Sequence, residues 1–169
     1  HVDGEVDPDR DIETIDTELV LADMESVERR INRFAKVAKS GDKEAKHHHG
    51  VAEKLLSILE TGAPARSGDW SDEEWESIRD AQLITAKPVL YVCNIDEDSV
   101  GKGNPWVDQV KARAAAEGAG VVVICGQVEA ELSELDAEEA EAFLEDLGLS
   151  EPGLNRLAQA TYALLGLQT

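Results

Sequence analysis

Apolar residues in the first third of the chain recur with the spacing of two amphipathic helices. Six of them step by four and three residues, the heptad-like seam of a helix packed on a neighbour, as in a coiled coil; they are Val20, Met24, Val27, Ile31, Phe34 and Ala38. Gly41 and Asp42 interrupt the pattern, and a second one runs over 43–61 until Gly62 and Pro64. Two such helices joined by a short break predict an antiparallel hairpin.

A different pattern begins near residue 89, where short runs of β-branched and aliphatic residues replace the helical spacing. Val89–Cys93 and Val121–Cys125 have the length and composition of strands buried on both faces. Between them, Pro105 fits the first turn of a helix that Gly118 ends. A helix that connects two such strands predicts a βαβ unit with parallel strands.

The flanking segments predict further helices and one loop. Ser71 with Glu74, and Asp136 with Glu139, have capping-box spacing, so helices are expected from 71 to about 83 and again after 136. A last amphipathic helix opens at Pro152, whereas the acidic residues 1–11 are expected to form a loop. The pattern as a whole predicts an α/β fold that carries an antiparallel helical hairpin.

Composition and charge restrict the classes of function. The 169 residues, 42% of them hydrophobic, suffice for one domain with a core, or for one domain plus an insertion. A net charge of −20 repels phosphate backbones, and no cluster of Lys and Arg that would track nucleic acid stands out, so no direct nucleic-acid site is expected. No apolar run approaches the roughly 18 residues that span a bilayer, so no membrane partner is expected. Cys93 and Cys125 are too few for a disulfide framework and indicate reduced thiols in a cytoplasmic protein.

The most informative candidate site follows the first predicted strand. Asn94-Ile95-Asp96-Glu97 has the shape of the Asn-Lys-x-Asp base motif of P-loop NTPases, and ligands of open α/β sheets bind beyond the carboxyl ends of strands. The Asn94 amide can donate to a purine N7 and can also accept from the N6 amino group of adenine. Adenine N1 would repel a carboxylate at the usual Asp position, so either the base shifts or Glu97 turns away. The alternative is a plain turn, with Asp96 and Glu97 in solvent.

Other segments carry weaker signals. Cys125-Gly126-Gln127 ends the second predicted strand, where Gly126 would let the backbone approach a ligand, with an ordinary strand-to-helix turn as the alternative. The chain contains no G-x-x-x-x-G-K-[ST] phosphate loop. The run His47-His48-His49 could suggest a metal site, but adjacent helix positions point about 100° apart, so three consecutive side chains cannot easily share one ion. The run is therefore expected to be a solvated helix face. We assign no catalytic residue and no metal site.

Segments spread along most of the chain resemble the YchF/Obg-like ATPase family of P-loop NTPases. Residues 11–23 resemble the approach to its helical domain, residues 87–97 resemble its N-x-x-E base motif, and residues 151–156 and 166–169 resemble the end of its nucleotide domain. The resemblance implies a partial Ras-like P-loop NTPase fold. Residues 1–17 and 87–169 would form the C-terminal half of the nucleotide-binding domain, and 18–86 the inserted hairpin domain. Since the chain begins with His1, we expect it to be a piece of a longer protein.

The same resemblance implies a function. Family members bind ribosomes and hydrolyse ATP, with GTP less favoured, and the match assigns the base pocket to Asn94, Ile95, Glu97, Cys125, Gly126 and Gln127. Gly126 departs from the alanine more common there. The phosphate loop and the Mg²⁺ ligands belong to an upstream part, so the parent is expected to need Mg²⁺ and this chain alone is expected to be inactive.

Two alternatives stay open. The chain could be a non-catalytic protein-interaction module that uses the hairpin. In addition, the basic stripe Arg29/Arg30/Arg33/Lys36/Lys39 could contact the ribosome or could simply be a solvated helix face.

Overall fold

The computed structural model describes residues 6–167, which contain seven α-helices and one two-stranded sheet. The elements are α1 (Pro8–Ala38), α2 (Lys43–Leu59), α3 (Asp72–Asp80), β1 (Leu90–Asn94), α4 (Pro105–Glu117), β2 (Gly120–Ile124), α5 (Gly126–Leu132), α6 (Ala137–Asp146) and α7 (Gly153–Leu164). The expected mixed α/β architecture is confirmed. Residues 1–5 of the predicted N-terminal loop, and Gln168 and Thr169 of the last resembling segment, lie outside the described residues.

The described chain divides into two compact units, residues 10–87 and residues 6–9 with 88–167. In the helical unit, the predicted seam is buried in part: Val20 and Val27 of α1 are 4% and 0% exposed, the other four seam residues are partly buried, and Leu55 and Leu59 of α2 belong to the same core. The ring of Phe34 stacks on His48 with centroids 5.2 Å apart, so the end of α1 lies beside the start of α2. The antiparallel hairpin follows from these contacts.

Three polar residues are buried in the helical unit, Asp23, Ser77 and Thr85, and Asp23 is the charged one among them. Asp23 of α1 is 3% exposed, and its side-chain oxygens accept hydrogen bonds from the backbone N–H groups of Ile84 (3.0 Å) and Thr85 (2.7 Å). The Thr85 hydroxyl donates a third hydrogen bond at 2.7 Å. A buried polar group needs such partners, and here they join the middle of α1 to the segment that follows α3.

Both predicted capping boxes are present. The Ser71 hydroxyl accepts from the Glu74 backbone N–H at 3.2 Å, and the Glu74 carboxylate accepts from the Ser71 N–H at 2.9 Å. Asp136 and Glu139 make the same reciprocal pair at the start of α6. The hydrogen bond from Ser71, with help from Lys54, holds the pKa of Glu74 below its usual range.

The two largest errors among the predicted helix boundaries are at the start of α1 and at the end of α3. Helix α1 begins at Pro8 and includes residues assigned to the N-terminal loop; proline is well suited to a first helical turn, and acidic residues such as Asp9 and Asp11 are favourable near the positive end of a helix. Helix α3 ends at Asp80 instead of near 83, because Gln82 takes a left-handed conformation with φ of 52°.

The second unit contains the predicted βαβ arrangement. Strands β1 and β2 are parallel, with Val92 opposite Val122 and Asn94 opposite Ile124. Helix α4 connects them. Its first turn is capped by Asn104, which accepts from the Val107 N–H at 2.9 Å. Gly118 ends α4 with a φ of 67°, a conformation that glycine adopts without strain.

The prediction of strands buried on both faces is wrong for this chain. The strands lie at 90–94 and 120–124, one residue from the predicted bounds at each of the four ends, and Val92 is 45% exposed. Only Val122 within the two strands is buried. The reason is packing: α4 and α7 lie mainly against β2, so β1 has less cover within the described residues.

Candidate functional site

The predicted site residues meet where the two parallel strands end. Because Asn94 and Ile124 are opposite each other in the ladder, the residues that follow them leave the sheet at the same edge. The ladder continues one step, since the Ile95 N–H donates to the Ile124 carbonyl at 2.9 Å. The Gly126 N–H then donates to Asn94 Oδ1 at 2.9 Å. The structure therefore brings the two candidate loops, 94–97 and 125–127, into direct contact.

This hydrogen bond orients the Asn94 amide. A backbone N–H can only donate, so the atom that faces Gly126 must be the carbonyl oxygen of the side chain. The Nδ2 amino group, with its two N–H donors, then lies on the other side of the amide, and Asn94 is exposed. The arrangement presents a hydrogen-bond donor at the strand end.

A glycine is not required at position 126 to let the backbone approach its neighbours. A Cβ at this position would lie 3.4 Å from Asn94 Oδ1, an ordinary contact distance. An alanine would therefore fit. The N–H of Gly126 is engaged by Asn94, so what this residue contributes to the site is support for the Asn94 amide.

Glu97 and Gln127 also approach each other. Gln127 Nε2 lies 3.3 Å from Glu97 Oε2 and 3.4 Å from Glu131 Oε1, so one amide group can donate to both carboxylates. Asp96 takes no part in this pair; its side chain caps the short 3₁₀ turn Glu97–Ser99 by accepting from the Ser99 N–H at 3.0 Å. The Glu97 side chain thus points towards the second loop.

The two remaining candidates are less accessible. Cys125 is 6% exposed and precedes the first residue of α5, whereas Ile95 is half-buried. Their side chains can shape the floor of a site more readily than they can contact a polar ligand. Cys93 and Cys125 are both free thiols, and burial raises the pKa of Cys93.

Sequence reasoning missed a contact next to the second loop, between Glu129 and the start of α7, which is here called the clamp. The Glu129 carboxylate of α5 accepts from the backbone N–H groups of Gly153 at 2.7 Å and Leu154 at 3.2 Å. Helix α7 follows Pro152, which makes no side-chain cap. The first N–H groups of a helix need acceptors from outside it, and the missing cap residue before α7 is the signal that could have pointed to one.

The described residues show no metal centre. Among residues 6–167, no group of three or more His, Cys, Asp or Glu side chains is placed to hold an ion. In the histidine run, His48 Nδ1 lies 2.7 Å from the Ser77 hydroxyl, and all three histidines are partly buried instead of fully solvated. No helix within the same residues has the length and hydropathy to cross a bilayer.

Comparison with known proteins identifies similar sequences and a similar structure. A comparison with protein-family models found no match. The chain is 50% identical to the ribosome-binding ATPase YchF of Haemophilus influenzae and 47% identical to that of Bacillus subtilis, over its whole length in both cases and over 46% and 47% of those proteins. Obg-like ATPase 1 of Rattus norvegicus is 36% identical over 99% of the chain and 44% of that protein.

A solved structure agrees with the sequence comparison. The YchF GTPase of Schizosaccharomyces pombe superposes with a TM-score of 0.85 and 30% identity, over 98% of this chain and 46% of the other. The chain spans slightly less than half the length of the curated relatives that it matches.

Proposed function

The chain belongs to the YchF/Obg-like ATPase family, and we propose that it supplies the purine-base pocket of an ATP-binding, ribosome-associated nucleoside-triphosphate hydrolase. In this proposal, the unit of residues 88–167 is the base-binding half of the nucleotide domain, and the helical unit is its insertion. The base-contacting residues are those predicted from sequence. A ribosomal partner implies action in the cytoplasm.

The observation that supports the proposal most directly is the hydrogen bond from Gly126 to Asn94. It joins the carboxyl ends of two adjacent parallel strands, the usual ligand position in open α/β sheets. It also uses the amide oxygen of Asn94 and leaves the amino group to donate. A donor at that position matches the N7 acceptor that adenine and guanine share.

The position of Glu97 bears on the choice of base. A carboxylate held opposite N1 would suit guanine, which donates there, and would repel adenine. In the structure, Glu97 lies within reach of the Gln127 amide, 3.3 Å away. This supports the second of the two arrangements considered for adenine, in which Glu97 turns away from N1. We therefore propose ATP as the nucleotide, with GTP less favoured.

Phosphate binding and hydrolysis are assigned to parts that this chain does not supply. The sequence has no G-x-x-x-x-G-K-[ST] motif, and the described residues present no group that fits a Mg²⁺ site. We derive no catalytic step from these residues. In the proposal, Mg²⁺ and the phosphate cradle belong to a polypeptide of the relatives' full length.

The test is ATP affinity in a polypeptide of that full length. Asn94→Ala should weaken ATP binding about 5- to 150-fold, the roughly 1–3 kcal/mol of a specific base contact. Asn94→Asp keeps an acceptor for the Gly126 N–H but has no donor, so it should weaken binding to a similar extent. Asn155→Ala, the same substitution at an exposed position of α7, is the matched control and should change the affinity less than twofold.

Two outcomes would contradict the proposal. If Asn94→Ala and Asn155→Ala behave alike, Asn94 does not read the base. If the unmodified full-length protein has no nucleotide affinity, the alternative of a non-catalytic interaction module would be favoured.

A further inference from the structure

Charge is distributed unevenly along this acidic chain. Residues 29–49, here called the hairpin tip, contain seven of the 16 Lys and Arg residues but only two of the 36 Asp and Glu residues. The tip therefore has a formal charge of +5, whereas the whole chain has −20. The expectation of no direct nucleic-acid site rested on the net charge and on the absence of a Lys and Arg cluster, and this local excess shows that the second reason is wrong.

The fold concentrates the basic residues in one region of the helical unit. Arg29, Arg33 and Lys36 share one face of α1 and extend over about 10 Å of its axis. The chain then turns at 39–42 into α2, and the stacking of Phe34 on His48 keeps the two helices adjacent there. Lys39, Lys43 and Lys46 follow around the turn, so both helices contribute basic side chains to the tip.

These side chains are exposed and little compensated. Arg29, Arg33 and the four lysines of the tip are all exposed. Within residues 6–167, none of the lysines at 36, 39, 43 and 46 forms an ion pair, and Arg29 has a long one of 3.8 Å to the exposed Glu25. Such a surface pair contributes little. The tip thus carries positive charge that the described residues do not neutralise.

We propose that the hairpin tip binds the phosphate backbone of RNA. A row of exposed Arg and Lys side chains neutralises phosphates and releases their counterions, and arginine can bind a phosphate through two N–H donors. The acidic remainder of the chain would repel a polyanion. The tip would therefore be the part that faces the RNA. The choice of RNA over an acidic protein surface rests on the ribosome association proposed above.

A membrane surface fits these observations less well. Helices that lie in a lipid interface bury a broad apolar face beside their basic residues. Here the apolar faces of α1 and α2 are used in a shared core, since Val27 and Val51 belong to the same cluster of buried residues and are 0% and 6% exposed. Within the tip, Val37 is the one large apolar side chain that is exposed.

The experiment measures binding of the 169-residue chain to fluorescently labelled single-stranded RNA by anisotropy, between about 50 and 200 mM salt. The tip variant is Lys36→Gln/Lys39→Gln/Lys43→Gln. The control, Lys87→Gln/Lys102→Gln/Lys111→Gln, removes the same charge from exposed lysines elsewhere. If all three tip lysines contact phosphates, the tip variant should lose roughly 100-fold in affinity at 0.1 M salt, and its salt slope should fall by about 2. The control should stay within about threefold.

A charge-preserving variant and two further polyanions complete the test. Lys36→Arg/Lys39→Arg/Lys43→Arg should retain the affinity and the slope, which separates loss of charge from loss of folding. Equal losses in the tip and control variants, or no RNA binding at low salt, would overturn the proposal. Tighter binding to polyglutamate or to anionic phospholipid vesicles than to RNA would also overturn it. Because no nucleotide is present, these results are independent of the Asn94 test, and either proposal can fail alone.

Discussion

The clamp between Glu129 and the start of α7 makes a quantitative prediction about the support of the site. Removing the carboxylate by Glu129→Ala takes away the acceptor for the Gly153 and Leu154 N–H groups. Loss of a helix cap costs about 1 kcal/mol, and loss of a negative charge near a helix N-terminus costs up to about 1 more. We expect the free energy of unfolding to fall by about 2 kcal/mol.

The neighbouring glycine should be coupled to this carboxylate. A Cβ on Gly153 would lie 2.8 Å from Glu129 Oε1 and 3.0 Å from Ile124 Cγ2, both closer than normal contacts. Overpacking costs about 1–3 kcal/mol, part of which the better helix propensity of alanine offsets, so Gly153→Ala should cost about 1 kcal/mol net. In the Glu129→Ala background the closest of these contacts is absent. The second substitution should then cost at least about 0.5 kcal/mol less.

The assay is a double-mutant cycle in urea unfolding, followed by far-UV circular dichroism with equal m-values required for all four proteins. Gly50→Ala combined with Glu129→Ala is the control pair, because a Cβ on Gly50 meets nothing within 4 Å, and its effects should add. Additivity of the Glu129 and Gly153 substitutions to within about 0.3 kcal/mol would refute the argument that the carboxylate occupies the space next to Gly153.

Three further predictions follow from single features. Asp23→Ala should lower the free energy of unfolding by about 3–5 kcal/mol in urea titrations, because it leaves the two buried donors of Thr85, its N–H and its hydroxyl, and the partly buried Ile84 N–H unpaired; a loss below 1 kcal/mol would contradict this. The lowered pKa of Glu74 means that its capping contribution is present above the ordinary value of 4.5 and is lost as the pH falls through the lowered value, so the stability difference between wild type and Glu74→Gln should shrink on acidification; an unchanged difference at pH 3 would count against it. The 169-residue chain should release no phosphate from ATP and Mg²⁺ above a boiled control, since it lacks a phosphate loop.

Much of the local structure could be predicted from the sequence because it depends on local signals. The helical seam at Val20 and Val27, the capping boxes at Ser71 and Asp136, and the crossover helix up to Gly118 all follow from periodicity or cap chemistry. The errors occurred where a local rule had a competitor. Pro8 was taken as part of a loop, although it equally suits the first turn of a helix.

The candidate site could be predicted in part. The positions of Asn94 and Gly126 after two parallel strands imply that they share an edge of the sheet, and the structure shows their contact. The path of both loops decided two contacts: the Gly126 N–H meets Asn94, and the Gln127 amide reaches Glu97. Sequence periodicity carries no information about those paths.

By itself, the sequence determined which segments are helices and strands and which side chains stand at the strand ends, because helix periodicity, caps and strand composition act over a few residues. Only the tertiary structure decided the partners of Asp23 and Glu129, whose hydrogen bonds join residues 61 or 62 and 24 or 25 positions apart. It also decided that Val92 is exposed and that the basic residues of two helices form one tip. These properties depend on which groups the folded chain brings together, and a buried polar group takes whichever partner lies within hydrogen-bonding distance.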